Sequence, residues 1–264
     1  MSERTASGSS AAVSRATVIN YNFMSYLLVF CTLSLIITLH ELGHLLAAKW
    51  MGIPVVRFSI GFGPKLWGFK MGKTEYWISL IPCGGYVLPG LADAEAFAQL
   101  PLRRRIVFAL GGPGANILGA FLGLSLMNTV QFGFSVDSLI YLPLEQICKL
   151  AIQIASVIPL LFSQPDQLSG VVGIIAAGGV QVGLNFVKLL QFSVLLNVNL
   201  AVFNLIPILP LDGGKIVMGV LRRIHQPLRK LELPLTVGGW VMLLGLTLYA
   251  TVLDVARVAY GILG

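Results

Sequence analysis

FMSYLLVFCTLSLIITLHELGHLLAAKW, residues Phe23–Trp50, is the stretch that decides the fold of this chain. Its first part is almost wholly apolar and is long enough to cross the hydrocarbon core of a bilayer, which needs about 20 residues of helix. Its end carries His40, Glu41 and His44. The segment therefore predicts a membrane helix with ionisable groups near one end.

The composition of the whole chain agrees with a membrane location. Only 11% of the 264 residues are charged and 56% are hydrophobic, whereas a soluble globular chain carries about 25% charged residues. The missing charge indicates that much of the surface faces lipid. We therefore expect an α-helical polytopic membrane protein. Its three cysteines lie far apart, which excludes both a disulfide framework and a thiolate metal site.

Four apolar stretches have the length of a membrane span. They are predicted at about residues 23–50, 106–127, 183–206 and 234–253. A further apolar stretch at 144–162 is broken by Glu145, Lys149 and Pro159, and we interpret it as an interfacial helix or a partly inserted hairpin. Residues 1–20, rich in serine, alanine and threonine, are predicted to be a disordered tail. Residues 21–264 then form a single membrane domain.

The basic residues are distributed unevenly between the two sides of this four-span arrangement. Of the 18 lysines and arginines, 13 fall in the first and third connections and 5 fall elsewhere. Cytoplasmic connections are the ones enriched in lysine and arginine. The first and third connections are therefore expected in the cytoplasm, and both termini are expected outside.

Between the first two spans, residues 55–88 are typical of a β-hairpin. Phe58, Ile60 and Phe62 alternate with smaller residues, a second alternating run follows, and residues 71–73 form the expected turn. The hairpin is unusually apolar for a cytoplasmic loop, so we expect it to be membrane-associated. Backbone at that depth is tolerated only where protein shields its polar groups or a wet cavity solvates them.

His40, Glu41 and His44 form the strongest local signal of chemistry. Residues i and i+4 lie on one face of a helix, so both imidazoles can reach one metal ion, and Glu41 then lies where it can take a proton from water. On a solvated helix this pattern would more often arise by chance. A charged group at the centre of a membrane helix costs roughly 2.5–3.5 kcal/mol, so ionisable groups within a span are functional candidates by default, and here three lie at the end of an apolar run. Packing does not account for three such residues.

A catalytic zinc ion takes a third protein ligand and keeps one position for water. The third histidine of the chain, His225, lies in a basic stretch and is interpreted as a surface residue at the headgroups. Among the acids on the same predicted side, Asp212 stands out. Pro207 and Pro210 interrupt the helix before it, and two glycines follow it. Glu75, in the hairpin, is the weaker rival ligand.

Several motifs of the chain, in this order, resemble those of the site-2 protease family of intramembrane zinc metalloproteases. HELGH at 40–44 matches the family's HExxH, and NLIPILPLDGG at 204–214 matches its NxxPxxxxDG. GFGPKLW and LIPCGGYV are similar to its membrane re-entrant β-loop. GGPGAN at 111–116 and LSGVVGI at 168–174 resemble segments near its second and third spans.

The chain departs from the family pattern in two places. Many bacterial members carry a PDZ domain between the second and third spans, whereas residues 128–143 leave only a short connection here. The chain is therefore identified as a PDZ-lacking member. Its two prolines are spaced PxxP instead of the common PxP, but the spacing from Asn204 to Asp212 is the family's own.

The resemblance implies roles for individual residues. The implied zinc ligands are His40, His44 and Asp212, the general base is Glu41, and Asn204 is a catalytic residue that contacts the substrate or stabilises the intermediate. The hairpin adds Gly61, Phe62 and Gly63 as substrate-binding residues, because an unwound substrate segment can pair with an exposed strand edge.

The expected function is zinc-dependent hydrolysis of a peptide bond within or near a transmembrane segment, in regulated intramembrane proteolysis. The expected partners are single-span membrane proteins or remnant signal peptides and the lipid bilayer, and not nucleic acid. The expected location is a bacterial plasma membrane, with the active site near its cytoplasmic face. The alternative is a catalytically silent scaffold that binds membrane proteins, against which the intact Glu41 argues. A transporter is a third reading, but the chain lacks the internal repeats typical of transporters.

Overall fold

A computed structural model describes residues 3–92, 94–159, 163, 169–224 and 229–259 of the chain. It is mainly helical, with one sheet inserted between the first two long helices. The elements, in chain order, are α1 (Glu3–Trp50), β1 (Val55–Met71), β2 (Thr74–Pro89), α2 (Ala94–Ala98), α3 (Leu102–Phe132), a π-helical segment (Asp137–Tyr141), α4 (Leu142–Val157), α5 (Val171–Val182), α6 (Phe186–Asn204), α7 (Asp212–Ile224) and α8 (Arg229–Ala259).

Five helical segments in the described part of the chain are long and apolar enough to cross a membrane. They are Phe23–Trp50, Leu102–Phe132, Asp137–Val157, Phe186–Asn204 and Leu231–Arg257. The sequence predicted four, and the additional segment covers much of the stretch that was interpreted as interfacial or partly inserted. It reaches span length because the π-helical segment continues directly into α4. Residues 160–162 of that stretch lie outside the described residues.

The helices also extend further than the apolar pattern predicted. α3 has 31 residues and includes the three arginines at 103–105. At 1.5 Å per residue it is about 46 Å long, so it continues beyond a hydrocarbon core of about 30 Å. α1 continues back to Glu3, through the residues predicted to be a disordered tail. That segment contains no proline that would interrupt the helical hydrogen bonds.

α1 and α3 touch backbone to backbone where each has a glycine. A Cβ atom placed on Gly43 would lie 2.2 Å from the carbonyl oxygen of Gly111, and one placed on Gly111 would lie 2.6 Å from the carbonyl oxygen of Gly43. Any side chain at either position would force the helices apart. This contact fixes the height at which the HELGH segment faces α3.

Two apolar clusters hold the remaining elements to this helix pair. The first joins α3, α4 and α6 through Ala120, Ile147, Val194 and Val198. The second packs the sheet against the ends of α1 and α3, through Leu45, Ala48, Ile53, Val55, Phe58 and Phe108. The sheet is therefore anchored beside the end of α1 that carries the histidines.

β1 and β2 pair as an antiparallel sheet, with the connecting turn at Gly72 and Lys73, inside the predicted residues 71–73. β1 bends at Gly61 and Gly63, whose φ angles are +86° and +87°. Glycine adopts such angles without strain. The bends fold the predicted hairpin once more on itself.

The first half of β1 consequently lies between the two halves of β2. Phe58 pairs with Val87 on one side and with Tyr76 on the other, and the second half of β1 pairs with Tyr76 through Phe69. The second half of β2, residues 85–89, pairs with the first half of β1. On its other side no strand pairs with it among the described residues.

The start of α7 and the end of α1 lie at the same end of the bundle. His44 Nε2 is 3.1 Å from Asp212 Oδ2, so the chain between these residues must cross the bundle an even number of times. α3 and α6 supply two crossings. α5 has 12 residues, or about 18 Å, which is too short to cross alone. α4 therefore either does not cross the membrane, or makes one of two additional crossings that keep the total even.

Candidate metal centre

The two histidines of the HELGH segment project from the same face of α1 towards α3. Both are buried, each with 5% of its surface exposed, and their Nε2 atoms are 3.2 Å apart. His44 Nδ1 lies 2.8 Å from the carbonyl oxygen of Phe108 on α3. When Nδ1–H donates to that oxygen, the Nε2 lone pair of His44 is left for a metal ion.

Asp212 reaches the histidines because the chain turns sharply between α6 and α7. The Leu209–Pro210 peptide is cis, and Asp212 is the first residue of α7. Both following glycines are needed for this turn. A Cβ atom on Gly213 would collide with the backbone of Leu205, and one on Gly214 would collide with the backbone of Ile208.

The three donor atoms form a compact triangle. His40 Nε2 and His44 Nε2 lie 3.3 Å and 3.1 Å from Asp212 Oδ2, and 3.2 Å from each other. Nitrogen and oxygen ligands at about 2.0–2.2 Å from a tetrahedral zinc ion are about 3.3–3.6 Å apart. Two imidazoles and a carboxylate at this spacing fit a zinc ion that keeps its fourth position open.

The Asp212 carboxylate is held in its charged form. Burial raises the pKa of Asp212, but its contacts with His40 and His44 and the positive charge of Lys215 bring this pKa well below its usual range. Lys215 Nζ lies 2.9 Å from Asp212 Oδ1. Because this contact uses one carboxylate oxygen, the other oxygen, Oδ2, is directed at the histidines.

α3 leaves the space that an ion needs. A Cβ atom on Gly112 would lie 2.5 Å from the Nε2 atoms of both His40 and His44. The absence of a side chain at Gly112 therefore opens a gap on the side of the helix that faces the donor atoms. A methyl group there would occupy the position of the ion or push the imidazoles away.

Glu41 lies next to the donor atoms and beneath β2. A Cβ atom on Gly85 would lie 3.3 Å from Glu41 Cγ, and the backbone of Val87 hydrogen-bonds to Glu41. The sheet thus covers the acid and holds it beside the three donors. A carboxylate in this position can exchange a proton with a water molecule in the fourth ligand position.

A cavity of about 1010 Å³ opens onto the donor atoms. Its walls come from α1, from residues 85–89 of β2, from the loop before Asp212 and from α8, which contributes Trp240. Asn204 also lines it, and one amide hydrogen of Asn204 is donated to the Leu200 carbonyl oxygen at 2.9 Å. A volume of about 1010 Å³ is sufficient for several residues of a peptide beside the donors.

The structure brings together most of the residues that the sequence singled out. Those that line the cavity are His40, Glu41, His44, Phe62, Asn204 and Asp212. Gly61 and Gly63 do not line it. They shape the bend that presents Phe62, whose ring stacks on Tyr86. The rival ligand Glu75 pairs instead with Arg57 at 3.3 Å. His225 lies outside the described residues.

Three residues of the site did not stand out in the sequence. Lys215 follows Asp212 by one helical turn, so its spacing was a usable signal. Gly112 is part of GGPGAN, but the run does not show which glycine faces the histidines. Trp240 lies in an apolar span with no local signal at all, since only the fold brings it to the cavity.

Comparison with known proteins agrees with a metal-dependent hydrolase. Peptidase family M50 matches this chain over residues 28–246. The match spans α1 through most of α8 and includes every residue of the donor triangle. It bears out the resemblance drawn from HELGH and the Asn204–Asp212 motif.

Curated relatives carry the name "Putative zinc metalloprotease". One from Nostoc sp. is 37% identical over 123 residues, which cover 42% of this chain and 32% of the relative. One from Chlamydia trachomatis is 43% identical over 113 residues, which cover 36% of this chain and 18% of the relative. One from Pasteurella multocida is 40% identical over 121 residues, covering 42% and 26%. The chain thus aligns with a third or less of the length of these relatives. Their name and the donor set together confirm zinc as the expected cofactor.

Replacing Gly112 by alanine tests the space at the donor atoms. The methyl group would contact both Nε2 atoms, so we expect purified Gly112→Ala to lose most of its bound zinc, measured by elemental analysis. Gly114→Ala is the matched control, because a Cβ atom at Gly114 meets nothing within 4 Å. A Gly112→Ala protein with a full zinc complement would contradict the assigned gap.

Proposed function

The chain belongs to peptidase family M50, and on that premise we propose that it hydrolyses peptide bonds within or beside the membrane-spanning segments of other proteins. The observation that carries the proposal is the donor triangle of His40, His44 and Asp212, with Glu41 beside it, at the end of a membrane helix. A zinc ion that only stabilised the fold would need no open space beside its ligands. Gly112 leaves such space next to the three donor atoms, which favours a catalytic role.

The residues of the chain divide the reaction between them. His40, His44 and Asp212 would hold a zinc ion, which would lower the pKa of a bound water to about 7 and polarise a carbonyl group. Glu41 would take the proton of that water and deliver it to the leaving amine. Asn204, with one amide hydrogen committed to Leu200, uses the remaining amide atoms to position the scissile peptide. Lys215 keeps Asp212 oriented through Oδ1.

Residues 85–89 support an extended mode of substrate binding. They line the cavity, and their outer edge has no strand partner among the described residues. A helical substrate hides its carbonyl groups in its own hydrogen bonds, so it must unwind before cleavage. An unwound segment regains backbone hydrogen bonds by adding as a strand to this edge. The proposed substrates are accordingly single-span membrane proteins or remnant signal peptides.

Loss of Glu41 is the direct test of the activity. Purified protein in lipid is mixed with a reporter that spans the membrane once, and cleavage is followed by gel electrophoresis. We expect Glu41→Gln to cut at least about 100-fold more slowly, because general-base catalysis is worth roughly 10²–10⁴. Chelator should abolish cleavage of the wild type, and added zinc should restore it.

Glu75→Gln is the matched control, since Glu75 pairs with Arg57 away from the donor triangle. It should cleave at the wild-type rate. A wild type that binds the reporter but never cleaves it would favour the silent scaffold. Cleavage that survives Glu41→Gln would contradict the assigned base.

Phe62 tests the part of the sheet that faces the cavity. Phe62 and Phe69 are similarly exposed, at 44% and 48%, and each stacks on a tyrosine. Of the two, Phe62 lines the cavity. We expect Phe62→Ala to lower kcat/KM for the reporter about tenfold, chiefly through KM, without loss of zinc. Phe69→Ala should leave both unchanged, and an equal effect of the two would remove Phe62 from the substrate site.

The orientation of the bundle is also part of the proposal. Thirteen of the 18 basic residues fall in the two connections that meet at the donor triangle, which favours a cytoplasmic site. An even number of crossings between His44 and Asp212 agrees with this arrangement. With α4 adding no net crossing, both termini lie outside and the sheet dips into the membrane from the cytoplasmic side.

Thiol labelling distinguishes the two sides. In a chain without its native cysteines, Lys73→Cys places a thiol at the exposed turn of the sheet, and Val136→Cys places one at the opposite end of the bundle. A membrane-impermeant maleimide should label position 136 in intact cells and position 73 only after the cells are opened. The reverse pattern would invert the proposed orientation.

A further inference from the structure

The two histidines of the donor triangle differ at their second ring nitrogen. His44 Nδ1 is 2.8 Å from the Phe108 carbonyl oxygen. His40 Nδ1 is buried and has no hydrogen-bond partner in the described part of the chain. A histidine that binds a metal almost always donates its other ring N–H to a carboxylate, a carbonyl oxygen or a water molecule. The surroundings of His40 should therefore contain an acceptor.

Asn116 on α3 is buried and equally without partners. Its side chain is fully inaccessible to solvent, and neither its carboxamide oxygen nor its nitrogen makes a hydrogen bond to any described residue. The side-chain oxygen of Asn197 on α6 is in the same condition. Unpaired polar groups are costly at membrane depth. Three such groups on three adjoining helices call for a common explanation.

Contacts on either side place Asn116 between His40 and Asn197. Gly112, Asn116 and Gly119 are spaced i, i+4 and i+7, so they share one face of α3. A Cβ atom on Gly112 would lie 2.5 Å from His40 Nε2, and one on Gly119 would lie 3.1 Å from Asn197 Oδ1. The face of α3 that touches His40 at one turn thus touches Asn197 two turns later, with Asn116 in the middle.

The directions of the two side chains also converge. α1 ends and α3 begins at the end of the bundle that carries the donor triangle, so the two helices run in opposite directions. Side chains on a helix lean towards its N-terminus. His40 therefore leans away from that end, towards the level of Asn116. Asn116 leans back towards Gly112 and His40.

We propose that Asn116 is the positioning residue of His40: its carboxamide oxygen accepts the Nδ1–H of His40 through one buried water molecule that Asn197 also holds. A buried water typically makes two to four hydrogen bonds, and these three side chains supply that number. The contact fixes the tautomer in which Nε2 is free for zinc. The inference rests on the proposed function in one respect, that His40 is a zinc ligand.

Zinc affinity tests this role without relying on cleavage. Full-length protein in lipid nanodiscs is stripped of metal, and its affinity for zinc is measured by competition with a chromophoric chelator. We expect Asn116→Leu to weaken zinc binding about 10- to 100-fold, the usual effect of losing such an outer hydrogen bond. Asn116→Asp keeps an acceptor at the same position and should retain affinity close to that of the wild type.

Asn128→Leu is the matched control. Asn128 is buried on the same helix, but it donates to Gln146 at 3.0 Å, far from the donor triangle. The zinc affinity of the Asn128→Leu protein should equal that of the wild type. The thermal midpoint of the metal-free protein separates positioning from packing. Asn116→Leu should lower that midpoint no more than Asn128→Leu does, because each variant replaces one buried, hydrogen-bonded amide by leucine.

The possible results are distinguishable. Wild-type affinity in Asn116→Leu, or an equal loss in Asn128→Leu, would overturn the inference and leave the proposed function standing. A wild type that binds no zinc would overturn both. If Asn116→Leu does not fold, Asn116→Ala replaces it with the same expectation, an affinity loss that the aspartate variant does not share.

Discussion

Backbone contact between α1 and α3 is the constraint on which the rest of the structure depends. Because Gly43 and Gly111 have no side chains, the two helices approach closely enough for Gly112 to face both imidazoles. A wider separation would move the imidazoles away from Gly112, and Asp212 could then not contact both of them. Lipid supplies no hydrophobic force between helices, so small residues that permit such contact largely determine where membrane helices pack.

The sheet and α8 form the remaining walls of the cavity beside the donor atoms. β2 covers Glu41 and carries a strand edge along the cavity, while α8 closes the opposite wall with Trp240. Only 6% of the most apolar window of α8 is buried, and the helix is fixed beside the cavity by backbone contact of Gly239 with Leu209 and by the ion pair of Arg222 with Glu232 at 2.9 Å. The cavity thus has one deeply buried wall, which holds the donors, and one largely exposed helix as its other wall, fixed at a few points.

The sequence predicted the membrane class, the strands and the turn, and the fold brings His40, His44 and Asp212 together as the motifs suggested. These succeeded because each depends on local pattern or on a short motif. The count of four spans stays a prediction, since α4 is a fifth candidate by length and apolar composition, and the distribution of charged residues does not decide whether it crosses. Gly112, Asn116 and Trp240 escaped attention because their roles exist only across helix contacts. No spacing within a single helix reveals which neighbour it faces.

The absence of a side chain at Gly112 suggests a criterion for deciding which distant relatives of this chain can bind the ion. A HExxH motif reports only that two imidazoles share a helix face, and it carries no information about the wall opposite them. A chain that keeps the motif but places a bulky residue at the facing position lacks the volume for an ion, even when its aspartate is intact. The HExxH motif and the residue that faces it must therefore be considered together. Only then are chains that can bind the ion distinguished from chains that keep the motif without that ability.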